Sequence, residues 1–137
     1  MYRILAPVDD DVERGQKQAA FIAGLPHGGG EVEVTVTHAL HGDEMDAPKA
    51  MKTPDRVESV KQLRETLEAD DIEVNTVEIG QPPAEEILAL ADDIDADLIV
   101  LGGRKQSPVG KVVFGSVSQE VLLNTERPVV VTGGGGD

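Results

Sequence analysis

With 137 residues, 26 Asp+Glu against 12 Lys+Arg and a net charge of −14, the chain is long enough for one domain with a real core and is strongly acidic. That balance argues against nucleic acid and against anionic membrane surfaces, both of which reward clustered Lys and Arg. There is no cysteine, hence no disulfide, thiolate metal site or thiol catalysis; no stretch long enough to span a membrane and no apolar leader core lead us to expect a soluble, cytoplasmic protein.

Acids fall in nearly every expected helix and turn, while the large aromatics are one Tyr and two Phe. Such a surface suits high salt, where self-repulsion is screened. Adaptation to a salty cytoplasm, a halophilic setting, is the expectation.

In chain order, Tyr2 to Val8 reads as a first strand, with Pro7 near its end where a lost ladder donor is tolerated. Asp9-Asp10-Asp11 follow. Val12 to Leu25 has a helical pattern with Ala19, Ala20, Ile22 and Ala23 inward, acids at its start and Pro26 with Gly28–Gly30 as the stop. Glu31 to Leu40 alternates with period two as a second strand. His41 to Lys52 is polar and aperiodic, a mobile loop, and Thr53-Pro54 is an N-cap followed by proline at the first helical position. Val57, Val60, Leu63 and Leu67 then recur at helical spacing until Asp70-Asp71. Ile72 to Ile79 is the third strand, and Gly80-Gln-Pro-Pro83 opens a third helix with Ile87, Leu90, Ala91 and Ile94 as its stripe. Leu98 to Leu101 is a buried strand, a helix follows Ser116, and Arg127 to Thr132 is a short last strand. Residues 1–132 form the expected domain and 133–137 a flexible, Gly-rich tail.

Strands alternating with helices predict an α/β fold: a five-stranded parallel sheet, doubly wound, with helices on both faces. In such sheets ligands sit beyond the carboxyl ends of strands, where the strand order reverses. The ends of strands one, two and four carry Pro7-Val8-Asp9, His38-Ala39 and Gly102 onward.

The stretch from Leu98 to Gln119 organises the rest. A four-residue apolar run ends in Gly102-Gly103, and the loop closes on Gly115-Ser116, where Ser116 and Gln119 match an S-x-x-Q capping box. Free backbone N–H groups in such a loop, aided by the helix dipole, make an anion site. No acid occurs from Gly102 to Gln119, where roughly three would be expected at the chain's average density, and Arg104, Lys105 and Lys111 lie there. A solvated loop before a capped helix would give the same pattern.

Named phosphate motifs are excluded by spacing. A Walker loop ending at Gly110-Lys111 would need glycine at 105 and Ser or Thr at 112, where Lys105 and Val112 stand. A dinucleotide fingerprint would need glycines after strand one, where Pro7-Val8-Asp9 stands. Asp9-Asp10-Asp11 suggests a Mg²⁺-binding phospho-receiver, yet Ile79-Gly80 and Thr132-Gly133 occupy the places of its aspartate and lysine. His27, His38 and His41 have no metal-ligand spacing, so His38 reads as a packed strand-end side chain. Asp9 reads equally as a helix cap or as a ligand.

Taken together, Ile4-Leu5-Ala-Pro7-Val8-Asp9, His38-Ala39, Gly80-Gln-Pro-Pro-Ala-Glu-Glu-Ile87, Ala96-Asp97-Leu-Ile-Val-Leu-Gly102, Gly115-Ser116-Val-Ser-Gln-Glu-Val121 and Arg127-Pro128-Val-Val-Val131 resemble the universal stress protein family over nearly the whole chain. The resemblance implies a three-layer, Rossmann-like sandwich of the adenine nucleotide alpha hydrolase-like type. It also implies a site for an adenine nucleotide, ATP with Mg²⁺. The family's ATP-binding branch shows Gly, two residues, Gly, nine residues, then Gly-Ser/Thr; Gly102 and Gly115-Ser116 match its ends, and Lys105 replaces the middle glycine. Lysine resists positive φ but carries a cation able to meet a phosphate from the side.

By position, the resemblance assigns Pro7, Val8, Asp9 and Ala39 to adenine and ribose. Leu101 and Gly102 belong to the same site, Gly102 near the ribose and Arg104 near the phosphates, and Gly115, Ser116, Val117 and Ser118 bind phosphate. It further implies a homodimer through the edge strand Val129–Thr132 and a binding, regulatory role, no residue set supplying a nucleophile or base for rapid turnover. The alternative is a family member without nucleotide, acting as a dimeric protein-interaction module.

Overall fold

The computed structural model describes residues 1–25, 31–38, 57–106, 112–113 and 115–133, with backbone alone for 104–106 and 112–113. Its frame is β1 (Tyr2–Val8), buried from Ile4 to Val8 because neighbours cover it on both edges and both faces. The main sheet runs β3 (Glu73–Thr76), β2 (Val32–His38), β1, β4 (Leu98–Gly102), β7 (Val129–Thr132), and every pairing is parallel. Strand order therefore reverses between β1 and β4, which places helices on both faces, the pair of strands at the reversal being one the sequence left open.

Period-two alternation divides the apolar side chains between two cores. Ile4, Ala6, Val8, Val34, Val36, Leu98 and Val100 pack under α1 (Val12–Ala23) and α2 (Glu58–Ala69), which contribute Ala19, Ile22, Val60, Leu63 and Leu67. On the other face Leu5, Ile99 and Leu101 meet Ile87 and Ala91 of α3 (Pro83–Asp93) and Val121 of α4 (Ser116–Asn124). This is the expected doubly wound sandwich.

Several boundaries differ from the sequence reading. The buried stripe of α1 is Gly15, Gln18, Ala19 and Ile22, while Ala20 is exposed and Ala23 half-buried. That set follows i, i+3, i+4, i+7, and Ala20 lies off it. α2 begins at Glu58 with Val57 as an N-cap lacking a side-chain bond. Thr53-Pro54, the expected start, and the expected loop 41–52 lie outside the described residues, as does the tail from 134. β3 spans four residues rather than eight, being an edge strand held from one side by β2. Arg127-Pro128 precedes β7 rather than opening it. Within the long loop, β5 (Arg104–Gln106) pairs antiparallel with β6 (Val112–Val113), a small second sheet absent from the sequence reading.

The acid excess has a local consequence at the sheet edge. Glu33 and Glu73 are register partners on β2 and β3, and the Glu73 carboxyl is held above its ordinary range, first by its hydrogen bond with Glu33 and then by that neighbour's charge. The charged form of Glu73 is thus disfavoured in the folded chain. Stability falls as pH rises from the ordinary carboxylate range through the raised value, and at neutral pH the repulsion is fully present. Glu73→Gln should therefore raise Tm at pH 7 in dilute buffer, with the gain vanishing below the ordinary carboxylate range and shrinking in molar KCl. Thermal melts over pH and salt check this; an equal gain under all conditions would refute it.

Candidate functional site

β1 and β4 are paired only at Ile4↔Leu98 and Leu5↔Ile99, and beyond that point the two strands part. A parted pair leaves buried carbonyls without ladder donors. Gln18, 1% exposed on the inner face of α1, fills that role: its Nε2 donates to the Pro7 carbonyl at 2.9 Å and the Val100 carbonyl at 3.1 Å. Two carbonyl acceptors on one atom fix the amide orientation, and both N–H groups are used. Oε1 is left at the mouth of the gap, where it would lie 3.0 Å from a Cβ on Gly102, with no donor among the described residues.

Asp9 follows β1 directly. Its carboxylate pairs with the Arg14 guanidinium and accepts from the Asp11 N–H at 2.9 Å, while its carbonyl accepts from the Ser59 hydroxyl of α2. The helix cap is Asp11, which accepts from the Arg14 N–H at 2.8 Å, so Asp9 is left to face the crevice. Asp10 meets Nε2 of buried His38 at 2.7 Å, and His38 is the packed side chain expected, although its Nδ1 has no partner among the described residues. Among the described residues no cluster of three His, Asp or Glu is placed to hold a metal.

The other wall is the start of α4. Gly115, not Ser116, is the N-cap, and no side chain caps the helix, so the capping box expected from Ser116 and Gln119 is not formed. A residue at N1 cannot turn its hydroxyl back onto N3. Gln119 N–H reaches the Gly115 carbonyl, but no described acceptor takes the N–H groups of Ser116, Val117 and Ser118, and the first turn holds no acid. An open helix start of this kind carries partial positive charge. The Gly103 N–H, by contrast, is already bonded to the Thr132 carbonyl at 3.1 Å.

Of the residues singled out from sequence, Pro7, Asp9, Leu101, Gly102, Gly115, Val117 and Ser118 line one crevice. Val8 points instead into the α1–α2 core, Ser116 is exposed, and neither lines it. Ala39 lies outside the described residues. Arg104 and Lys105 sit on β5, so the position of the motif's middle glycine is extended strand. Arg14, Gln18 and Ile87 line the crevice without having been anticipated. The first two are i and i+4 on α1, and a glutamine within an otherwise apolar stripe was the available signal. Arg14 crosses the gap: a Cβ on Gly102 would lie 2.7 Å from its Cγ and 3.0 Å from its Cδ. The free space left is about 30 Å³, room for a water or two and far below the several hundred Å³ of a cofactor pocket.

The sequence model of the Universal stress protein family matches residues 1–133. The chain belongs to this family. A solved universal stress protein from Archaeoglobus fulgidus superposes with a TM-score of 0.76 at 29% identity, covering 97% of this chain and 99% of that one. A second structure from the same organism, a universal stress protein in complex with dAMP, gives 0.70 at 23% identity with 97% and 98% covered, a likeness of fold. The stress response protein NhaX of Bacillus subtilis is 33% identical over 93 residues, covering 64% of this chain and 54% of that protein. The chain spans about half the length of the curated relatives it matches, or less.

The Gln18 bridge yields a prediction. Gln18→Leu keeps the volume roughly but orphans two buried carbonyls, each worth about 1–3 kcal/mol. We expect a loss of about 2–4 kcal/mol in a urea melt; a loss under 1 kcal/mol would mean the carbonyls find other donors.

Proposed function

We propose that this universal stress protein family member binds an adenine nucleotide, ATP with Mg²⁺ as counter-ion, in the crevice between the ends of β1 and β4. The observation carrying the proposal is the pairing of opposite characters across one gap. An uncapped, acid-free start of α4 suits phosphate, while the Asp9 carboxylate on the far side suits sugar or base donors. The dAMP held by the solved Archaeoglobus fulgidus relative of the same fold supports the base and the monophosphate. Gln18 Oε1, at the mouth of the crevice with no donor among the described residues, fits a hydroxyl or amino N–H of such a ligand. The role is binding and regulation rather than rapid turnover: Asp9 is tied to Arg14 and Asp11, and Ser118 has no base partner among the described residues.

A thermal-shift titration with Mg-ATP tests this. At a hundredfold excess over Kd, mass action adds about 2.7 kcal/mol, a Tm rise on the order of 10 °C for a domain of this size. No shift at millimolar nucleotide would favour the second reading, a dimeric interaction module without nucleotide, for which the 30 Å³ of free space speaks.

Either reading includes a homodimer through β7. This strand is the edge of the main sheet, and Val129, Val130 and Val131 are only half-buried there. An apolar edge strand is a pairing surface. Val130→Lys should convert the dimer to monomer in light scattering, and an unchanged mass would place the contact elsewhere.

A further inference from the structure

We infer that Arg14 makes the site selective for phosphorylated nucleosides over free ones, closing the crevice onto Asp9 and releasing it only to an anion. The inference rests on the nucleotide reading above and concerns what that site accepts. The Arg14 stem lies against Gly102 and its guanidinium pairs with Asp9, the two side chains being 19% and 14% exposed. In this position Arg14 holds the space between the strand ends, which is why so little is free. Its remaining contact, to Asp11 at 3.6 Å, is at the solvent side.

Any ligand in the crevice must move this arginine, and the energetics then differ between ligands. A neutral nucleoside offers donors to Asp9 but nothing to the guanidinium, so it breaks a largely desolvated ion pair without replacing the anion. A phosphate at the start of α4 stands across the same crevice. It offers the guanidinium a second anion with matching fork geometry, while Asp9 turns to the sugar or base. The ion pair is thereby exchanged, not lost. An arginine in the first turn of a helix can do this by side-chain rotation alone, with its backbone N–H still held by the Asp11 cap.

Calorimetric titration of the native chain and of Arg14→Met with AMP and with adenosine tests the inference. The native chain should prefer AMP by at least about tenfold. In the variant the preference should fall to roughly threefold or less, as AMP loses its cationic partner and adenosine gains an open crevice. Arg14→Gln, of similar length and uncharged, is read in the same way should the Met variant fail to fold. An undiminished preference in the variants, or none in the native chain, overturns the role of Arg14 and leaves nucleotide binding standing. Binding of neither ligand to any of the proteins overturns both. Binding that appears only in the variants shows Arg14 to be a plug, and this too overturns the inference.

Discussion

The Gln18 amide is the contact on which the site depends. A parallel sheet whose order reverses must open between the two strands at the reversal, because the following segments leave in opposite directions. Here the opening begins after Leu5↔Ile99, and the Pro7 and Val100 carbonyls would face one another across it without donors. A single carboxamide spans them from α1. It holds the strands at a fixed separation, satisfies both carbonyls and leaves its own oxygen at the entrance. An apolar residue in the same place would fill the gap but could not span it. The polar residue in the middle of the stripe is therefore structural and, by position, part of the site.

Charge is handled by pairing cations with several acids at once. Arg127 donates to the Ala96 carbonyl at 2.6 Å, to Asp92 at 3.1 Å and to Asp95 at 3.3 Å, drawing the end of α3 against the approach to β7. Asp92 and Asp95 lie at a helix C-terminus, where acids oppose the dipole, and one guanidinium offsets them. Arg14 does likewise for Asp9 and Asp11. In a chain of net charge −14, such shared cations sit at the turns on which the layers meet.

How much of this was legible from sequence depends on the kind of signal. The strands β1, β2 and β4 follow from unbroken or period-two apolar runs, and the inward face of α2 from apolar residues at helical spacing. The carboxyl ends of strands one, two and four were legible as places to look for a ligand, because helices on both faces of a parallel sheet imply a reversal of strand order, but which two strands flank the reversal was not. Three things were not. Alanine is too small to report which way it faces, so Ala20 was set inward and Gln18 was overlooked. Ser116 matched a cap by spacing, but the chain enters α4 one residue earlier, at Gly115. The Arg14–Asp9 pair joins positions five apart, a separation with no regular meaning on either a strand or a helix.

One further contact gives the crevice a route outward. The Ser59 hydroxyl, in the first turn of α2, donates to the carbonyl of Asp9, joining the turn that follows β1 to a helix that arrives fifty positions later. Ser59 is buried, while its neighbour Glu58 is on the surface. Rotation of the Asp9 peptide would unseat that hydroxyl and be felt in the packing of α2 against α1. Whatever grips the carboxylate thus also tugs, through the main chain, on a lever whose other side faces solvent.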